Sequence, residues 1–315
     1  MAYNLTAFTD YIGRETQTLT KTLFAGGDTA KFAMFMAGVK GSTSIPHLSG
    51  GATLQAGTCV NPSGDTVAGE KIISVTAFTV YESFCQDDLQ TKFPNTVLAP
   101  GSRNNDAPRP WEEALIDTKM SSINEQLEEL YWQGDTDGVS NNLFDGFLKK
   151  LSASGDVVDG NPDEVTAVSK SNIRAVVDKV RDQAPAKVRR HADFTIMLGD
   201  DYFDMYIQAE KDANLYHYMP EHDEGVYRIG GSGARLVRTY GLNNTGRIVA
   251  SVGSNFVVGS DVENEHEIAD MFYDQTSDKT YLRVKAKAGV QLINEDEIVD
   301  FVLFVEESPE SPESP

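Results

Sequence analysis

The chain has 315 residues, 40% of them hydrophobic and 24% charged, an ordinary globular balance and enough length for two compact domains. Asp and Glu number 48 against 27 Lys and Arg, a formal net charge of −21, which argues against a protein that grips phosphate backbones and suits solubility at high concentration. The chain lacks an apolar run of about eighteen residues and a basic-then-apolar N-terminus, so we expect no membrane span and no secretion signal, and a chain that folds in a cytoplasm.

Residues 1–45 read as an arm. Leu5, Phe8, Ile12, Leu19 and Leu23 share one face of a helix interrupted at Gly13 and Gly26-Gly27, and Lys31 to Val39 is a second short amphipathic piece. Neither can bury a core alone, so the arm is expected to pack on another surface. Residues 46–95 read as one long hairpin. Its first strand is Ala52 to Val60, its turn chemistry Asn61-Pro62-Ser63-Gly64-Asp65 and Gly69, and its second strand Lys71 to Tyr81. Such a hairpin has little apolar face and is marginal in isolation. Pairing about a centre near residue 65 does not set Cys59 opposite Cys85; two cysteines here read as free thiols and are too few for a four-ligand zinc site.

A polar linker, Pro100 to Pro108, leads into the longest predicted helix, Pro110 to Gln133. Ile116, Met120, Ile123, Leu127 and Leu130 alternate in steps of four and three and draw one apolar stripe, widened by Trp111, Leu115 and Tyr131. Pro110 suits the first turn, Glu112 and Glu113 lie at the positive end of the dipole, and Gly134 is expected to supply a left-handed cap. At 1.5 Å per residue the rod is about 35 Å long. Gly134-Asp135-Thr136-Asp137-Gly138 is a turn, and Ser152 to Asp163 a loop that marks a domain boundary.

Residues 164 to about 265 read as an α/β unit. Ile173, Val176, Val177 and Val180 line a short helix capped by Ser169 or Ser171; Phe194 to Leu198 is a buried strand; Gly199-Asp200 caps a helix carrying Tyr202, Phe203, Tyr206 and Ala209. Short strands follow at Ala234 to Thr239, Arg247 to Val252 and Asn255 to Gly259. Further strands are Met271 to Asp274 and Tyr281 to Ala288, with a turn at Gly289 and a last strand at Ile298 to Phe301. The tail, a Glu-Ser-Pro repeat through Pro315, reads as a disordered extension.

Catalytic and cofactor signatures are weak. Arg228-Ile229-Gly230-Gly231-Ser232-Gly233 is glycine-rich, but no helix signal and no Lys-Ser or Lys-Thr follows it, as a phosphate cradle requires. His217 and His222, with Glu221, Asp223 and Glu224, flank Pro220 at a spacing that does not stack on a helix, so a solvated acidic loop explains them better than a metal site. No Gly-x-Ser-x-Gly elbow is present, and Asp200-Asp201 is accounted for as a helix cap. Lys187, Arg189 and Arg190, beside His191, form the one dense basic cluster and read as a solvated edge. No cofactor, metal or catalytic residue is expected.

The long helix, its Gly-Asp turn and the segment Phe144-Asp145-Gly146-Phe147-Leu148 resemble the spine helix of tailed-bacteriophage major capsid proteins, whose fold is shared with herpesvirus shell floors and encapsulins. The preceding hairpin resembles that family's extended loop. Tyr240-Gly241-Leu242, Arg247 to Val252 and Asn255 to Asp261 follow the order of its axial domain. Tyr273-Asp274, Tyr281 to Ala288, Gly289-Val290-Gln291 and Ile298-Val299 resemble the strands that return beside the spine helix. The resemblance runs from about residue 46 to 305.

It implies an α+β capsid fold: an arm (1–45), an extended loop (46–95), a peripheral domain with the spine helix (96–163), an axial domain (164–269), returning peripheral strands (270–305) and a tail (306–315). It implies a structural protein, not an enzyme, assembled as pentamers and hexamers into an icosahedral head in the host cytoplasm. Copies of itself are the main partners, with a portal and scaffolding or decoration proteins, and the double-stranded DNA is enclosed without tight binding. Intersubunit contacts are expected from Thr53, Val60, Lys71, Ile73, Val75, Phe78 and Val80, and the spine core from Ile116, Met120, Ile123, Leu127 and Leu130. Some family members fuse a loop Lys to a neighbour's Asn; Lys71 lies at the hairpin, but nothing marks its partners. Fused scaffolds in the family precede the arm, and the roughly 45 residues before the hairpin are too few for one. An encapsulin-like compartment shell, and an enzyme using the Gly230–Gly233 loop with His217 or His222, are the alternatives.

Overall fold

The computed structural model describes residues 27–51, 65–84, 110–213, 225–229, 232–261, 269–274, 276–277 and 279–304. In chain order the elements are β1 (Met34–Met36), β2 (Ser42–Gly51), β3 (Asp65–Ser74), β4 (Thr76–Phe84), α1 (Pro110–Gln133), α2 (Phe147–Ala153), β5 (Val158–Asp159), α3 (Ile173–Gln183), α4 (Ala186–Arg189), β6 (Phe194–Leu198), α5 (Asp200–Asp212), β7 (Val226–Arg228), β8 (Arg235–Arg238), β9 (Ile248–Val252), β10 (Phe256–Ser260), β11 (Ala269–Asp274), β12 (Lys279–Leu292) and β13 (Val299–Phe301). They form a mixed α+β architecture of a five-stranded sheet, a six-stranded sheet and a separate two-stranded hairpin.

The five-stranded sheet is built around β12. Its 14 residues pair antiparallel with β4 on one side and with β10 and β11 on the other, and β1 joins β10 in parallel. Alternation decides which face is covered. Leu282, Val284, Ala286, Ala288, Val290 and Leu292 are buried in one cluster with Met120, Ile123, Leu127 and Leu130 of α1, while Lys285 is exposed. The strand runs straight through Gly289, where a turn was expected. Gly289 is needed there for proximity: a Cβ would sit 2.0 Å from the Ser74 carbonyl oxygen.

Helix α1 spans Pro110–Gln133, and its buried residues include Trp132, which the four-three stripe does not contain. The side chain of Ile116 lies outside the described residues. Gly134 does not adopt the left-handed conformation expected of it. The returning chain instead passes too close for a side chain: a Cβ on Gly134 would lie 2.3 Å from the Phe144 carbonyl oxygen, and Gly146 N–H donates to Gly134 O at 2.8 Å.

The six-stranded sheet has the order β5-β13-β9-β6-β8-β7. β6 is buried on both faces, which is why it reads as an unbroken apolar run. Phe194, Ile196 and Leu198 face α3 and α5, whereas Met197 enters the cluster that holds α1. Asn172, not Ser169 or Ser171, stands at the N-cap of α3, and its Oδ1 accepts the Ser169 N–H at 2.7 Å. The start of α5 is satisfied by a distant residue, Asn243, whose Oδ1 accepts the Asp200 N–H at 2.6 Å.

Two expected boundaries are corrected. β10 was grouped with the α/β unit but pairs with β12, and β13 was grouped with the returning strands but pairs antiparallel with β9. After β9 the chain therefore crosses between the sheets twice. The first crossing is the tight turn Gly253–Asn255, where a Cβ on Gly253 would meet the Phe32 carbonyl oxygen at 2.1 Å. A buried ion pair at the β9–β13 edge ties the six-stranded sheet to α2: Arg247 binds both oxygens of Asp300 and donates to the Leu148 carbonyl at 3.3 Å and to Ser152 Oγ at 3.0 Å. Burial holds the Asp300 carboxyl above its ordinary value in spite of the guanidinium.

Candidate assembly surface

The hairpin is displaced in sequence from its expected position. Its strands are β2 and β3, in register from Ser42↔Ser74 to Gly51↔Asp65, and the expected first strand, Ala52 to Val60, lies outside the described residues. The expected second strand is two elements. It divides at Val75, and β4 beyond that point belongs to the five-stranded sheet, from Thr76↔Ala288 to Phe84↔Thr280. Hydrophobic content alone could not reveal the break, because β-branched and aromatic residues continue across it.

Seven residues were expected to contact a neighbour, and the structure packs four of them against the chain's own cores. Ile73 is fully buried in a small core with Val39, Ile45 and Val257, and Val75 packs on the same core. Phe78 is buried in the α1 cluster and Val80 packs against it. These side chains serve the subunit's own interior. Lys71 is engaged within the chain as well, pairing with Glu295 at 2.7 Å, while Ser154 Oγ donates to the other Glu295 oxygen at 2.6 Å. Burial pushes the Glu295 carboxyl up, but the bonds from Lys71 and Ser154 outweigh it and hold the carboxyl below its ordinary value. Thr53 and Val60 lie outside the described residues.

Among the described residues, the exposed large apolar side chains of the hairpin are Val67 and Ile72, 55% and 59% exposed, neither of them an expected contact. The signal was the Ile72-Ile73 pair: in a strand, neighbours point to opposite faces, so one of two adjacent isoleucines must face out. The upper hairpin is tied by its own cross-strand pairs. Ser44 Oγ donates to Glu70 at 2.6 Å, and the His47 ring covers its partner Gly69 so closely that a Cβ there would lie 2.4 Å from Cε1. Beyond the small core and the Lys71–Glu295 pair near its base, the strands of the described hairpin pair only with each other. The hairpin presents one exposed apolar side chain on each face, Val67 on the face of Ile73 and Ile72 on the opposite one.

The other candidates resolve into structural roles. Arg181, Arg189, Arg190 and His191 line a cleft beside Ser232 to Ala234, but Asp182 lies within it and binds both Arg181 and Arg189 at 3.2 Å. Asp182 offsets one of the cleft's three arginine charges, and Asp178 pairs with Arg181 at 3.3 Å. The glycine-rich stretch leads into strand β8 and not a helix, so no helix N-terminus faces it. His217, His222, Glu221, Asp223 and Glu224 lie outside the described residues, as do Gly230, Gly231, Cys59 and Cys85. Among the described residues no group of three or more His, Cys, Asp or Glu is arranged to hold a metal ion, and no helix is long and apolar enough to cross a membrane.

No protein-family model matches the sequence, and neither does the sequence of any curated protein. Solved structures do match the fold. The satellite phage P4 procapsid that includes the size determination (Sid) protein superposes with a TM-score of 0.56 at 10% identity, covering 91% of this chain and 90% of that one. The capsid of a native GTA particle gives 0.54 at 13% identity, covering 90% and 91%. A virus-like particle from Pyrococcus furiosus gives 0.50 at 7% identity, covering 90% and 96%. Over about nine-tenths of its length the chain therefore has the major capsid fold that phage heads share with such virus-like particles.

Proposed function

We propose that this chain is a shell-forming capsid protein, and that it builds the head of a tailed bacteriophage from pentamers and hexamers around double-stranded DNA. The observation that carries the reading is the match of the fold to a phage procapsid and a GTA capsid over nearly the full length of both. On this reading the sheet of β12 with α1 is the peripheral domain, the sheet of β6 with α3 and α5 the axial domain, and the hairpin the loop that reaches a neighbour. Its exposed apolar contacts are Val67 and Ile72, one on each face, in place of Ile73, Val75, Phe78 and Val80. The shell works by packing, with no catalytic step, and with −21 charges on each copy it encloses DNA without tight binding. Portal, scaffolding and decoration proteins are its natural partners. A compartment shell that encloses cargo enzymes is the second reading, favoured by the match to the Pyrococcus furiosus particle. Electron microscopy of the purified chain tests the shell reading: closed particles support it, and monomers at all pH and salt conditions reject it. Terminase and portal genes beside the coding sequence, against cargo enzymes, separate the two shells.

A further inference from the structure

The segment leading into β1 is bound to the long helix through one buried carboxylate. Glu128 is 5% exposed. Its oxygens accept the Thr29 N–H at 3.1 and 3.3 Å and the Thr29 hydroxyl at 2.6 Å, and Trp132 Nε1 donates to that hydroxyl at 2.9 Å. Gly27 approaches so closely that a Cβ would lie 1.9 Å from Glu128 Oε1. Phe32, three residues past Thr29, sets its ring 6.3 Å from Trp132 and 6.0 Å from Phe256.

Among the described residues no lysine or arginine is bonded to Glu128. The charges that act on it from the segment are Asp28 and Lys31, which pair with each other at 2.9 Å. Arg238 of β8 acts on the segment through Asp28. On its own helix Glu128 faces Tyr131, whose buried hydroxyl is pushed above its ordinary value by burial and then by the Glu128 charge. The turn Tyr240–Leu242 offers backbone only: Tyr240 N–H donates to Asp28 at 3.2 Å, and Gly241 packs on Trp132. A carboxylate buried without a bonded cation is costly to keep ionised.

We propose that Glu128 is a proton-linked anchor: as a neutral carboxyl it holds residues 27–33 against the long helix, and its ionisation loosens them. The neutral group can still accept the Thr29 N–H on its carbonyl oxygen and can give its own proton to Thr29 Oγ1. Burial, ahead of the opposing bonds from Thr29, raises the group from 4.5 to about 7. Because the closed state binds the proton more tightly than the open one, closure is fully favoured in acid. It weakens by up to roughly tenfold per pH unit between these two values, then levels off. The anchor belongs to the single chain, so it holds for either kind of shell.

The test uses the full chain with Trp111→Phe, leaving Trp132 as the reporter. Hydrogen exchange of residues 27–36, corrected for the intrinsic rate, and Trp132 emission are followed from pH 5 to 8. The opening constant is expected to rise on the order of 10–40-fold between pH 5 and pH 7, with a red shift of Trp132, and Glu128→Gln is expected to flatten both profiles. A flat wild-type profile, or a Glu128→Gln profile with the wild-type slope, would overturn the proposal. If Glu128→Gln does not fold, Asp28→Asn replaces it: a retained slope supports Glu128, and a lost slope assigns the titration to Asp28.

Discussion

Lys149 sits where the carboxylates of one turn converge, with Asp135 at 2.6 Å, Asp137 at 2.7 Å and Asp145 at 2.9 Å. The ammonium, carried on α2, draws the turn closed onto that helix. It holds Asp135 below the ordinary carboxylate range; at Asp145 burial pushes upward, but the bonds from Lys149 and Thr136 bring the carboxyl down to about 2. Depressed carboxylates contribute stability above their unfolded values and lose it as pH falls through the folded ones. Lys149→Met should therefore melt below wild type at pH 7, and the gap should close between about pH 4 and pH 2; a gap that persists at pH 2 would assign the effect to packing. Arg247 makes a harsher case. Removing its charge leaves Asp300 buried and unpaired on β13 beneath α2, so Arg247→Leu should lose about 3–5 kcal/mol in denaturant unfolding. Asp300→Asn, which keeps an acceptor for the guanidinium, should lose less.

Which of these features could be read from the chain depends on how local their cause is. The ends of α1 were legible because an apolar stripe, a first-turn proline and a terminal glycine are all signals within a few residues. The role of Trp132 was not, because its indole N–H is satisfied by Thr29, 103 positions away in sequence. The same distinction explains the glycines. Gly134 and Gly289 were read as a cap and a turn, the local reasons for glycine, whereas the structure uses both for close approach of distant backbone. The basic strand around Arg283 and Lys285 was placed correctly by its alternation, but its full length was missed through that reading of Gly289. Two glycines give a matched test. Gly289→Ala must displace the Ser74 backbone and should cost about 1–3 kcal/mol. Gly155→Ala meets nothing within 4 Å and has no left-handed backbone, so it should be neutral or slightly stabilising. Equal melting of the two variants would remove the close-approach explanation.

At the scale of the whole molecule, the hairpin and the body answer to different demands. The body holds its cores without the upper hairpin: Met120, Ile123, Leu127 and Leu130 bury against β12, and α3 and α5 cover β6. The hairpin's lower end is another matter, because Ile45 and Ile73 close a core with Val257, and β4 supplies Phe78 to the α1 cluster. A cut must respect that line. Replacing residues 47–69 with a short Gly-Ser link keeps Ile45, Ile73 and the Lys71–Glu295 pair. On the shell reading it should leave a subunit that melts near wild type but no longer closes particles, since what it removes is intersubunit area. Replacing residues 53–79 also removes Ile73 and Phe78 and half of the pairing of β4 with β12, and should unfold the subunit. It should then resemble Leu127→Asp, which buries a charge among the α1 contacts. Thermal melting and particle imaging of the three variants decide among the roles. If the 47–69 variant melts as badly as Leu127→Asp, the upper hairpin is part of the fold. If it folds and still closes shells, the contacts that hold the particle lie outside residues 47–69, and the exposed Val67 is not part of the joint between neighbours.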